Sequence, residues 1–215
     1  MTTGWTVRAG MIATMLALAL AMPAGAEPLV FTPREILATW HRESFQGETT
    51  YALDGEALRA RCRDSASGLF LRQTIDLRVT PVIEWSWRVD AVFDGAADET
   101  SKAGDDFPAR LYVVRESAVL VWRTRAINYV WASAMPQGSN WPNPFASQAH
   151  MVALRSGAPP APEQWVTERR NIVEDFRRYH GLEVERIDAV AIMTDCDNRN
   201  ATAEAWYGKV RLLAE

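Results

Sequence analysis

The chain has 215 residues, 48% of them hydrophobic, with 23 Lys and Arg against 27 Asp and Glu and a formal charge of −4. That length predicts one ordinary domain with a sizeable core. The mildly acidic balance leaves no electrostatic footprint for nucleic acid, and no basic run suggests a lipid surface.

The N-terminus reads as a cleavable secretory signal. Arg8 is the only charge before residue 27, Met11 to Met22 is an uncharged run that is apolar but for Thr14, and Pro23-Ala24-Gly25-Ala26 presents small residues to a peptidase. Cleavage is expected after Ala26, which makes residues 1–26 the signal and residues 27–215 a single domain. A spanning helix needs about 20 apolar residues, and Pro23 ends this run early. No stable membrane anchor is expected after cleavage, and the expected location is periplasmic or secreted.

Thr32 followed by Pro33 predicts a short capped helix at the start of the domain. Strands are expected over His41 to Phe45 and Thr49 to Leu53, then a turn at Asp54-Gly55, then strands over Glu56 to Arg63 and Gly68 to Leu77. Pro81 to Val89 alternates with period two, so Ile83, Trp85, Trp87 and Val89 share the face expected to enter the core. Asp94 to Asp106 is an acid-rich loop. Pro108 to Val114 and Ala118 to Arg123 are expected to pair, turning at Glu116-Ser117. Ile127 to Ala132 and Ser147 to Leu154 follow as strands, separated by a loop over Met135 to Phe145, and Gly157 to Pro162 is a Pro-rich turn. Asn171 to His180 carries Ile172, Val173, Phe176 and Tyr179 on one stripe, with Asn171 as cap and Gly181 as stop, and predicts a helix. Arg186 to Thr194 and Ala203 to Leu213 are the last strands. About ten strands with one or two short helices predict an all-β fold, a β-sandwich or jelly roll, with a closed barrel as the alternative.

Three constellations could carry chemistry. In Gly104-Asp105-Asp106-Phe107-Pro108-Ala109-Arg110, two adjacent carboxylates stand at the mouth of a strand. Asp105 and Asp106 suit a cation or a set of sugar hydroxyls, and Arg110 could clamp an anionic ligand. The plainer alternative is a turn whose aspartates cap amides while Arg110 pairs with one of them. In Met193-Thr194-Asp195-Cys196-Asp197-Asn198, an apolar strand releases Asp195, Asp197 and Asn198 as oxygen ligands, which suits calcium, the one candidate cofactor. The match to an EF-hand loop is poor, because Arg199 replaces a ligand and Trp206 stands where the closing Glu belongs. The third set is Trp122, Tyr129, Trp131, Asn140, Trp141, Asn143 and Phe145. Trp131, Trp141 and Asn143 are its candidates for stacking on, and bonding to, a polar ligand.

Cys62 and Cys196 form an even pair, which in an oxidising compartment suggests a disulfide; two buried free thiols are the alternative. There is no Gly-Xaa-Ser-Xaa-Gly elbow, zinc helix, phosphate loop or dinucleotide fingerprint, and only three histidines.

The ordered set Ala66-Ser67-Gly68-Leu69, Trp85-Ser86-Trp87-Arg88-Val89, Gly104 to Arg110, Tyr129-Val130-Trp131, Asn143-Pro144, Arg170-Asn171, Glu174-Asp175-Phe176 and Met193-Thr194-Asp195 with Asp197-Asn198 resembles the bacterial domain-of-unknown-function family 3047. The resemblance spans about Trp40 to Leu213. It implies an exported protein and supplies no reaction and no catalytic residue. Family members often carry Thr where this chain has Cys196, which favours a bridge particular to this chain. The family's general look is similar to galactose-binding-like sandwiches, many of which act as carbohydrate-binding modules.

The leading expectation is non-catalytic binding of a carbohydrate or related polar small ligand through Asp105, Asp106, Arg110, Trp131, Trp141 and Asn143. The alternatives are an enzyme acting on envelope polysaccharide through paired carboxylates, and a structural or assembly protein of the cell envelope.

Overall fold

The computed structural model describes residues 1, 27–95, 97–117 and 123–214. The expected signal segment, apart from Met1, and residues 118–122 of the expected strand over Ala118 to Arg123, with Trp122, lie outside the described residues.

Two sheets face each other. Numbered in chain order, the first runs β11 (Val166–Asn171), β6 (Val82–Val89), β13 (Thr202–Leu213), β4 (Ala57–Arg63), β3 (Thr50–Asp54), and β1 (Leu29–Phe31) lies beside the far half of β13. The second runs β2 (His41–Gln46), β5 (Ala66–Asp76), β12 (Arg186–Asp195), β7 (Ala109–Arg115), β8 (Arg125–Ala132), β10 (Ala149–Ser156), β9 (Asn140–Pro142). Two short helices, α1 (Pro33–Thr39) and α2 (Ile172–His180), complete the fold. It is a mostly-β sandwich.

Period-two alternation places the core between the sheets. Ile83, Trp85, Trp87 and Val89 of β6 turn inward, as do Leu111 and Val113 of β7, Ile127, Tyr129 and Trp131 of β8, and Val190 and Ile192 of β12. The sheets meet ring on ring: Trp85 to Tyr129 is 5.3 Å between centroids, and Trp87 to Trp131 is 6.1 Å. Burying one such ring removes about 150–250 Å² from water, an upper-bound gain of about 4–6 kcal/mol.

Both helices start and stop where their residues dictate. Thr32 and Glu35 close a reciprocal capping box ahead of Pro33, and Asn171 caps α2 through Glu174 N, 3.1 Å away. Gly181 ends α2 at φ 64, in the left-handed region.

Some pairings differ from expectation. β7 is hydrogen-bonded to β12 on one side and to β8 on the other, from Ala109–Trp131 to Arg115–Arg125. Its expected partner, Ala118 to Arg123, is therefore replaced by the following strand. β8 and β10 run parallel, so residues 133–148 form a crossover and include β9, which pairs back on β10. β1, β9 and β11 are additional short strands. Cys62 and Cys196 are bridged, their Cα atoms 6.2 Å apart across a separation of 134 residues. Among the described residues, no helix is long and apolar enough to cross a membrane.

Candidate functional site

The alternation that fills the core also decorates the outer face of the second sheet. Arg110 and Tyr112 of β7, Asn128 of β8, and Met193 and Asp195 of β12 point away from the core. With Asp105, Asn143, Phe145, Asp197 and Asn198 from flanking loops they line a cleft of about 500 Å³.

The acid-rich loop is pinned before it reaches this cleft. Glu99, 1% exposed, accepts backbone N–H groups from Ser133 and Met135 at 2.6 Å each and from Ala134 at 3.2 Å. Gly104 packs so closely that a Cβ there would fall 2.2 Å from the Asp98 carbonyl oxygen. Asp105 and Asp106 then diverge. Asp106 is fully buried and accepts from Asn198 N at 3.2 Å, Asn198 Nδ2 at 3.0 Å and Arg199 N at 2.8 Å, so it holds the turn after β12. Asp105 faces the cleft. Its Oδ2 accepts from Asn143 Nδ2 at 3.0 Å, while its Oδ1 is buried with no hydrogen-bond partner and lies 3.6 Å from Arg110 Nη1.

Arg110 is the hub. Its Nε donates to Asp195 Oδ1 at 2.7 Å, and its Nη2 donates to Asp195 Oδ2 and to the Asp105 carbonyl oxygen. The guanidinium carbon stands 4.6 Å from the Phe107 centroid. Burial opposes its charge, but Asp105 and Asp195 hold its pKa well above the ordinary arginine value. Burial pushes the Asp195 carboxyl up to about 8 against the pull of Arg110. Burial also raises Asp105 and Asp197.

Asn143 and Asn128 complete the polar floor. Asn143 Oδ1 accepts from Phe145 N at 3.0 Å and Ala146 N at 2.9 Å, shaping the loop that carries the exposed Phe145 ring. Asn128, 2% exposed, donates from Nδ2 to Met151 Sδ at 3.2 Å, and its Oδ1 has no partner. Phe45 of β2 is 65% exposed at the opposite rim; it meets Phe70 edge-on at 6.3 Å, and Phe70 lies 6.3 Å from Tyr112.

Asp105, Arg110 and Asn143 are thus brought together, and Asp195, Asp197 and Asn198 join the same corner. Asp106 lies behind this surface. Trp131 and Trp141 are placed elsewhere. Trp131 is 1% exposed in the inter-sheet core, with its Nε1 donating to Gly157 O at 2.9 Å, and Trp141 is 5% exposed against Phe107. Neither indole presents a face to a ligand in the cleft. Sequence reasoning missed Asn128, Tyr112 and Phe45. Period two would have found the first two, since Asn128 opposes Tyr129 and Trp131 in parity and Tyr112 shares the face of Arg110. Phe45 left no such signal.

The calcium set is rearranged. Asp106, Asp195 and Asp197 each bring a carboxylate oxygen within 4.8 Å of the others. Asn198 instead donates its side-chain amide to Asp106. Arg110 already supplies a positive charge to Asp195, and both Asp106 oxygens accept N–H groups, which leaves little of a hard-cation shell.

The fold and site define a two-sheet β-sandwich with a polar cleft on the outside of one sheet. The chain belongs to the family described as "Protein of unknown function (DUF3047)", whose model matches residues 38–211. No curated protein matches the chain. Among solved structures, it is similar to a low-affinity xylan binding module from Roseburia intestinalis, at 13% identity and TM-score 0.37, over 88% of this chain and 97% of that one. It is also similar to the xyloglucanase domain of an effector from Sinorhizobium fredii, at 8% identity and TM-score 0.43, over 79% and 90%. A winged bean acidic lectin gives 12% identity and TM-score 0.38, over 88% and 100%. Likenesses at this level transfer no activity.

Proposed function

We propose that this is an exported protein, processed after Ala26, whose domain over residues 27–215 binds a neutral carbohydrate non-catalytically in the cleft of the second sheet, in the periplasm or outside the cell. The observation that carries the reading is the pair of buried acceptors without hydrogen-bond partners, Asp105 Oδ1 and Asn128 Oδ1, which line that cleft. An unpartnered buried acceptor costs about 1–3 kcal/mol, and a polyol brings the missing donors. The exposed rings of Phe45 and Phe145 at the rims offer apolar faces to sugar rings.

Hydrolysis by paired carboxylates is less well supported, because Arg110 holds both oxygens of Asp195 and Asp105 leans on the same guanidinium. An assembly role would call for a broad apolar patch; here the exposed rings at the cleft flank polar groups. The reading needs no cofactor.

The test is calorimetric titration with a panel of neutral hexose and pentose oligosaccharides. One class should bind, and Phe45→Ala and Phe145→Ala should each weaken it about 2- to 10-fold, as expected of about 0.5–1.5 kcal/mol per ring contact. Asn128→Leu should abolish binding while raising stability by about 1 kcal/mol, because it removes an unsatisfied acceptor. No binding across the panel, or a destabilised Asn128→Leu that binds normally, sinks the reading.

A further inference from the structure

The opposite face of the sandwich carries a second pocket that shares no residue with the cleft. It opens on the outside of the first sheet, has a volume of about 370 Å³, and is lined by Asp54, Ser86, Arg88, Trp165, Trp206 and Gly208 among others. Trp206 of β13 sits in mid-sheet, across from Arg59 of β4 and Arg88 of β6. The Arg88 guanidinium carbon stands 3.8 Å from the Trp206 centroid and 5.8 Å from that of Trp165.

Arg88 differs from every arginine around it. Arg59 and Arg61 close on Glu204, and Arg169 and Arg211 close on Glu84. Arg88 Nε is buried with no hydrogen-bond partner, and its ion contact is Glu163 at 3.9 Å, a side chain 84% exposed. A guanidinium flanked by indoles keeps its donor edge fixed and free, the arrangement that receives a planar carboxylate through two N–H groups.

The pocket has a floor and a wall. Gly208 lies at a bulge of β13 beside Ser86, and a Cβ there would fall 2.1 Å from Ser86 Oγ, so the glycine leaves the Ser86 hydroxyl its place on the floor. Trp165, 41% exposed, follows a turn in which Glu163 holds φ 61, a left-handed conformation that costs a non-glycine residue free energy. Asp54 accepts from Trp206 Nε1 through Oδ2 at 2.8 Å.

We propose that this pocket binds a hexuronate, a sugar carrying one carboxylate, with the carboxylate on Arg88, the ring against Trp165, and hydroxyls on Ser86 and Asp54. The acidic rim of Asp54, Glu56 and Glu163 decides between a sugar acid and a bare anion. A free oxyanion gains Arg88 and meets three carboxylates, whereas the hydroxyls of a sugar acid donate to those carboxylates.

The test follows the Trp165 and Trp206 indole N–H signals by NMR during titration with D-glucuronate and D-galacturonate, and separately with D-glucose, D-galactose, acetate and sulfate. The uronates should bind at least about tenfold more tightly than the neutral sugars and the bare anions, the discrimination a charge-assisted bidentate pair supplies. Arg88→Gln should erase that preference with the fold intact by melting temperature. If Arg88→Gln does not fold, Trp165→Ala, an exposed position, should weaken uronate binding several-fold. Equal binding of neutral sugars, binding of acetate or sulfate as tight as the uronates, a preference that survives Arg88→Gln, or unchanged affinity in Trp165→Ala overturns the assignment. Failure here leaves the cleft untouched, because Asn128→Leu reads only the other face.

Discussion

The two outer faces of the sandwich are built from similar residues and use them in opposite ways. On the first sheet, arginines and glutamates alternate across strands and mostly neutralise one another near solvent, as Arg59 and Glu204 do at 30% and 28% side-chain exposure. On the second, the charges are drawn under the surface: Arg110 and Asp195 are each 3% exposed, and a surplus of carboxylate surrounds one guanidinium. The first face is left with a spare donor edge on Arg88, and the second with spare acceptors on Asp105 and Asn128. What a face asks of a ligand is set by which half of a hydrogen bond remains unmade, more than by how many charges it holds.

The largest expected effect that tests this contrast is at Arg110. Arg110→Met takes the buried donors away from both Asp195 oxygens and the Asp105 carbonyl oxygen and should cost about 3–5 kcal/mol, read from denaturant unfolding at pH 7. A loss below about 1 kcal/mol would show that the second face is no more dependent on its charges than the first. Next is the Cys62–Cys196 bridge, whose second cysteine lies between Asp195 and Asp197. Replacing both cysteines with alanine should lower stability by about 2–5 kcal/mol; an unchanged unfolding midpoint would mean that the bridge does not constrain the unfolded chain.

The pH response has a definite sign. Burial raises the folded pKa of Asp195 to about 8 from an ordinary 3.8, so the fold favours its neutral form. Its contribution to stability is complete below about pH 4 and is lost as pH rises through 8. Melting temperature should therefore fall across that window, and Asp195→Asn should flatten the fall; an equally steep profile in the variant contradicts the assignment. The smallest effect belongs to the first face, where Arg59→Ala should cost no more than about 1 kcal/mol, as exposed ion pairs do.

Much of the fold is legible residue by residue. The alternation of Ile83, Trp85, Trp87 and Val89 names both the strand and its buried face, and Asn171 with Gly181 brackets α2. The elements that escape are those whose reasons are non-local. β11 reads Val-Thr-Glu-Arg-Arg-Asn, too charged to announce a strand, and is held by its pairing with β6. The parallel pairing of β8 with β10 has no local mark at all. At the site, Asp105 and Arg110 are legible as polar residues at the mouth of a strand and Asn143 as an amide on a loop, but nothing local brings the two sets together. Indole content says nothing about which side of the sheet a ring faces; parity along β8 turns Trp131 inward, and Trp141 of β9 is placed by its packing on Phe107.

The parallel pairing of β8 and β10 has a consequence beyond topology. Two neighbours running the same way oblige the chain to travel back outside the sheet, and that return path, residues 133–148, supplies Asn143 and Phe145 to one bank of the cleft. The opposite bank comes from strands whose other faces hold the core. One bank is therefore free to vary in length and composition, while the other is bound by packing. Substitutions in that crossover outside β9 can reshape the bank formed by Asn143 and Phe145 while the Arg110 hub stays in place.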